Sequence, residues 1–88
     1  MAKKQELKIS EARVLIFLDT ANKAYKYKVE MSSKLSMDYG YLSKILNDMQ
    51  QKEWIKRHRS LSMNKVFYEL TKTGQNMLIK AMEVVNNE

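Results

Sequence analysis

The sequence predicts an α+β, mostly α domain: a three-helix core, a two-stranded β-ribbon, and a C-terminal helix. Three observations predict it. From about Tyr39 to Lys52, Leu42, Ile45, Leu46 and Met49 recur at the 3, 4, 7 spacing of a helix with one buried stripe. A shorter helical stretch, Val29 to Leu35, stands before it across the turn Ser36-Met37. After Trp54 and Ile55 comes the basic run Lys56-Arg57-His58-Arg59, placed to pair with Val66-Phe67-Tyr68-Glu69-Leu70 as a cationic hairpin. Short helix, turn, longer helix and basic ribbon, in that order, is the layout of a winged helix-turn-helix.

Taken in order, Met1 to Lys8 are polar and expected to fray. Ser10 is a good N-cap for a first helix that runs to about Asn22, with Glu11 where the helix dipole favours an acid. The apolar block Val14 to Leu18 covers more than one face, so this helix either sits centrally or gives a face to a second copy. Tyr25-Lys26-Tyr27-Lys28 alternates with period two, which suggests a short strand over Ala24 to Lys28 beside the ribbon. Met31 and Leu35 lie four apart on one side of the second helix, and Asp38 is placed to cap the third. Ser60 to Lys65 forms the hairpin tip. The last helix starts near Thr71 or Thr73 and carries the stripe Met77, Leu78, Ala81, Met82 and Val85, with Val84 beside it. The expected division is a flexible tail over 1–9, a winged helix-turn-helix domain over 10–72, and a dimerisation helix over 73–88.

The 88 residues suffice for one small domain, which is marginally stable alone and would gain from sharing apolar surface with a second protomer. With no cysteine, neither disulfides nor cysteine-ligated metals are available, and the single His58 cannot complete a metal shell. No cofactor is implied. Val14 to Leu18 is too short to cross a bilayer, and no signal-peptide core follows Met1-Ala2-Lys3-Lys4, so a cytoplasmic protein is expected, prokaryotic and associated with the nucleoid. The net charge of +6 favours a polyanion as partner. Much of that charge is local: five Lys or Arg residues lie between Lys52 and Lys65 against one acid, Glu53.

These residues resemble a known family. Glu30-Met31-Ser32-Ser33-Lys34-Leu35 is similar to the Glu-Leu-Ala-x-x-Leu pattern of winged-helix regulators. Leu42 to Met49 fits their recognition helix, Lys52-Glu53-Trp54-Ile55 the segment after it, and Leu70-Thr71-Lys72-Thr73-Gly74 the Leu-Thr-x-x-Gly that closes the wing. The whole, from about Ser10 to Ala81, resembles the multiple-antibiotic-resistance regulator (MarR) type of winged helix. That resemblance implies a homodimeric transcription regulator with its third helix in the major groove and its wing on the backbone or minor groove. Three features depart from the pattern. Glu53 replaces the usual helix-ending glycine, Ser62-Met63-Asn64 stands in place of Asp-x-Arg in the wing, and members with an effector pocket are commonly longer.

On the third helix, Tyr39, Gly40, Tyr41, Ser43, Lys44 and Asn47 are the candidate DNA-facing residues. N-terminal residues of a recognition helix enter the groove first; lysine donates to guanine or phosphate, and asparagine pairs with adenine. On the wing the candidates are Lys56, Arg57, Arg59, Asn64 and Lys65. Strand alternation puts Lys56 and His58 on one face, Arg57 and Arg59 on the other, so only one pair is expected to meet DNA. Phe17, Met77, Leu78, Ala81, Met82 and Val85 are the candidate dimer residues. An enzyme is not expected: Ser60 and His58 lack a nucleophile elbow or an oxyanion glycine, and no phosphate-cradling glycine loop exists.

The leading expectation is a sequence-specific regulator that binds double-stranded DNA as a homodimer, with a recognition helix over about 38–52 and a wing over about 55–70. Two rivals use the same fold: a non-specific architectural DNA-binding protein, and a winged-helix module that binds protein. A membrane partner is disfavoured because the basic residues sit on a ribbon and not along one amphipathic helix.

Overall fold

The computed structural model describes residues 7–21, 26–61 and 65–87. Five helices and one antiparallel ribbon follow in the order α1 (Ile9–Thr20), α2 (Lys28–Leu35), α3 (Tyr39–Gln51), β1 (Ile55–Ser60), β2 (Lys65–Leu70), α4 (Lys72–Asn76) and α5 (Leu78–Asn86). The predicted mostly helical winged helix-turn-helix is thus the observed one.

The core forms where the predicted stripes converge. Leu42, Ile45, Leu46 and Met49 of α3 are all buried, against Met31 and Leu35 of α2 and Trp54 and Ile55 at the entry to the wing. Helix α1 occupies the centre, with Ala12, Val14, Leu15 and Leu18 buried and α5, α3, α4 and β2 all packed against it. Complete burial of each large aliphatic side chain stabilises by about 1.5–3 kcal/mol, so this shared centre holds the helices to one another.

Four features differ from the sequence expectation by more than a single residue at a boundary. The N-cap of α1 is Lys8, not Ser10: the Glu11 carboxylate reaches back to accept from the Lys8 N–H at 3.0 Å, which fixes Ile9 as the first helical residue. Leu7, ahead of that cap, is buried in the core. Helix α1 ends at Thr20, short of the expected Asn22. The expected strand over Ala24 to Lys28 is reduced to a single bridge between Tyr27 and Phe67, because α2 already begins at Lys28; Ala24 and Tyr25 lie outside the described residues. The single last helix is two, α4 and α5, divided at Met77 where the Met77 N–H bonds three residues back to Gly74 O. The break separates a turn pinned to the wing from a helix packed along α1.

Candidate nucleic-acid interface

The turn between α2 and α3 is closed by short polar contacts. Ser36 takes a left-handed conformation (φ 54°), so that the Met37 N–H reaches Ser32 O at 3.0 Å and ends α2. The Ser32 hydroxyl donates to Met37 O at 2.6 Å, and the Arg13 guanidinium donates to the Leu35 carbonyl, also at 2.6 Å. Asp38 caps α3 as expected: its Oδ2 accepts from the Tyr41 N–H at 3.1 Å. These bonds set the direction of the start of α3, and Tyr39, Gly40 and Tyr41 stand exposed on it. A side chain at Gly40 would meet only Asp38 Oδ2, at 3.2 Å, so the fold itself does not demand glycine there.

The end of α3 answers the missing glycine. Glu53 adopts φ 62°, the Glu53 N–H bonds to Gln50 O at 2.9 Å, and the Trp54 N–H bonds to Met49 O at 3.0 Å. This is a Schellman termination with glutamate in the left-handed position. Thr71 then locks the turn: its hydroxyl donates to Glu53 O at 2.5 Å and accepts from the Gly74 N–H at 3.0 Å. Lys52 reaches across to the buried Glu11, its Nζ 3.1 Å from Oε2, and lies 4.6 Å over the Trp54 ring. Burial opposes the Lys52 charge, but the hydrogen bond and charge of Glu11, with Asp48, outweigh it and hold the ammonium above its ordinary range.

In the wing, Arg57 stands opposite Tyr68, His58 opposite Phe67 and Lys56 opposite Glu69. The alternation expected from sequence holds, and the tertiary fold selects the face. Arg57, with Val66 and Tyr68, looks onto α3 across a groove of about 710 Å³ lined also by Tyr39, Ser43, Lys44, Asn47 and Gln50. Lys28, Val29 and Glu30 of α2, with Tyr27 and Lys65, complete its walls. On the opposite face His58 stacks on Phe67 at 5.2 Å and its Nε2 lies 3.0 Å from Glu69 Oε1. Burial pushes the Tyr68 phenol upward, against the pull of Arg57 and with a contribution from Tyr39, so the wall of the groove offers a neutral hydroxyl.

A second cleft runs along the other flank of α3, between it and the start of α1, lined by Lys8, Glu11, Tyr41, Ile45, Asp48 and Gln51 together with Lys44 and Asn47. Lys44 and Asn47 border both clefts and therefore crown the ridge between them. Tyr41 turns toward α1, its hydroxyl 3.2 Å from Ser10 Oγ, while Tyr39 belongs to the wing side. Lys56, Arg57, Arg59 and Lys65 are all exposed; Asn64 lies outside the described residues. Sequence reasoning overlooked Gln50, Lys28 and Tyr68. Gln50 was within reach, three residues beyond Asn47 and seven beyond Ser43 on the same face. Lys28 and Tyr68 arrive from other elements and carried no local signal.

Of the candidate dimer residues, Phe17, Met77, Leu78 and Val85 are half-buried against the core and Ala81 is fully buried where α5 lies on α1. Met82 remains 44% exposed, and Ile79, three residues before it and unpredicted, 74% exposed. Among the described residues no helix is long and apolar enough to cross a membrane.

Comparison with solved structures places this geometry. A cysteine-to-serine mutant of ZitR from Lactococcus lactis matches with a TM-score of 0.81 and 17% identity, over 99% of this chain and 58% of that one. Wild-type apo MarR from E. coli matches with a TM-score of 0.75 and 26% identity, over 86% of this chain and 56% of that one. The transcriptional repressor CouR, bound to a 23-mer DNA duplex, matches with a TM-score of 0.79 and 24% identity, over 92% of this chain and 56% of that one. The chain thus spans less than two thirds of the length of the structures it matches. No family model and no curated protein matches the sequence. What it shares with ZitR, MarR and CouR is an architecture: the chain has the MarR-type winged helix-turn-helix fold.

Proposed function

We propose that the protein is a transcription regulator that binds double-stranded DNA, sequence-specifically and as a homodimer. Helix α3 enters the major groove, Lys44 and Asn47 lead on its crest, and the Arg57 face of the wing follows the backbone or the adjacent minor groove. The observation that carries this reading is the pairing of that crest with a flanking groove whose ionised side chains are Lys28, Lys44, Arg57 and Lys65 against one carboxylate, Glu30. A major groove about 12 Å wide admits a helix, and its edges offer the acceptors that lysine seeks and the adenine face that asparagine reads. Tyr39, Gly40, Tyr41 and Ser43 then lie at the entering end of α3, and Arg59, on the Arg57 face of the wing, supplements it in neutralising phosphates. CouR, which shares the fold, is bound to a DNA duplex.

The dimer reading rests on the apolar residues that α5 leaves exposed, Ile79 and Met82, beside Phe17, Met77, Leu78 and Val85. Two half-sites related by the dimer axis follow from it. Selection of bound sequences from a random duplex pool, then mobility shifts across salt, tests the whole. An enriched palindrome and steep salt dependence are expected. A flat selection result turns the reading to an architectural protein, and no duplex binding at low salt overturns it.

A further inference from the structure

Where β2 meets the start of α2, Tyr27, Glu30, Lys65 and Phe67 form a cluster, the first three of them in the wall of the groove. Tyr27 bridges Phe67, their rings meet edge-on at 5.8 Å, and the Tyr68 N–H donates to Lys26 O at 3.2 Å. Lys65, the first residue of β2, holds its Nζ 5.5 Å from the Tyr27 ring centroid and 3.9 Å from Glu30 Oε2. The other oxygen of Glu30, Oε1, is buried and has no hydrogen-bond partner among the described residues. A carboxylate beside the path of a phosphate backbone opposes binding unless its charge is answered within the protein. Among the described residues, Lys65 is the cation within 4 Å of it.

We propose that Lys65 is a positioning residue, strapping the wing to α2 through Glu30 and Tyr27, its charge satisfied inside the protein and not on a phosphate. This rests on the reading that the groove receives duplex DNA. The strap sets the distance between Arg57 and the crest of α3, because β2 carries Tyr68 opposite Arg57 and is itself tied to Lys26 and Tyr27. The pair is half-exposed, so its effect is modest, and the sign of that effect is what distinguishes it.

The test compares Glu30→Gln, Lys65→Gln, the double variant, Lys65→Arg and Arg57→Gln. Affinity for a fluorescently labelled random-sequence duplex is measured across salt, and hydrogen exchange at the Tyr68 amide without DNA. Glu30→Gln is expected to weaken binding about threefold although it removes a negative charge, and Lys65→Gln to weaken it equally with an unchanged salt slope. The double variant should be no weaker than either, and Lys65→Arg should restore binding, since arginine keeps the cation over the ring. Arg57→Gln should lower the slope by about one. In both glutamine variants the Tyr68 amide should exchange faster. Tighter binding by Glu30→Gln, or a slope lowered by about one in Lys65→Gln, means that Lys65 meets a phosphate and overturns the proposal. If the unsubstituted protein binds no duplex the functional reading fails, and exchange at Tyr68 still decides the strap: faster exchange supports it, unchanged exchange overturns it.

Discussion

The Lys52 ammonium lies 3.1 Å from Oε2 of Glu11, tying the end of α3 to the first turn of α1. The two partners are unequal. The Glu11 side chain is 2% exposed, whereas that of Lys52 keeps 27% of its surface in solvent. Removing the lysine leaves a buried carboxylate that keeps the Lys8 N–H but loses the cation facing it; removing the carboxylate leaves a lysine that still reaches water. Lys52→Met should therefore cost about 3 kcal/mol and Glu11→Gln distinctly less, as measured by urea unfolding. Equal losses would count against this account.

The same pair predicts a pH dependence. The folded Lys52 titrates above its ordinary value of 10.5, so its contribution is complete below that pH and fades as pH rises through the raised value. The stability gap between the wild type and Lys52→Met should stay constant from neutral pH to about 10 and close above it. A gap that stayed constant as the pH rose through the lysine range would contradict the assignment.

Glu53 and Ser36 both occupy left-handed backbone without being glycine. A β-carbon there costs roughly 1–2 kcal/mol, while the hydrogen bonds that end the helices are made by the backbone. Glu53→Gly should accordingly stabilise by about 1 kcal/mol, net of the greater freedom of glycine in the unfolded chain, raising Tm by about 4–8 °C. Ser36→Gly should act in the same direction. A fall in Tm for Glu53→Gly would show that its side chain does more than terminate the helix.

Gly74 is the opposite case. A β-carbon at that position would lie 2.0 Å from Trp54 O, a backbone atom that also accepts from the Thr71 N–H at 3.0 Å. Gly74→Ala should destabilise by about 3 kcal/mol, with the wing and α4 displaced together, as read from Trp54 fluorescence and urea unfolding.

On duplex DNA, the face selected by the fold should separate Arg57 from Lys56. Arg57→Gln should lower the salt slope by about one and Lys56→Gln by clearly less. Asn47→Ala should relax specificity at one base position by about 1–3 kcal/mol, read by repeating the selection with the variant. For the dimer, Met82→Lys at a half-exposed position should raise the dimer dissociation constant about tenfold or more without unfolding the protomer, by sedimentation equilibrium.

Local chemistry made the elements around α3 legible. One stripe of Leu42, Ile45, Leu46 and Met49 sets both the helix and its buried face, because the 3.6-residue period admits a single solution. The Asp38 cap needed nothing beyond its neighbouring residues, and the pairing of the basic strand with Val66 to Leu70 only the two segments themselves. Ser10 misled because the cap was decided by Glu11, whose carboxylate serves the Lys8 N–H and the distant Lys52 at once. The α4–α5 break at Met77 also escaped, since both halves carry helical sequence and only the packing on either side divides them.

Spacing along single segments was enough to establish which residues are helical, which ribbon is cationic, and which face of α3 is polar. It could not say that Arg57 rather than Lys56 would look onto α3, since alternation defines two faces and names neither. Nor could it bring Lys28, Glu30 and Tyr68 to the same groove, or turn Tyr41 toward Ser10. Those outcomes depend on α1 filling the centre and on Tyr27 and Phe67 holding the wing against α2, contacts between residues far apart in the chain. Periodicity acts over a turn or a strand; the placement of one element on another is set by how their buried faces fit, and that exists only once the chain has folded.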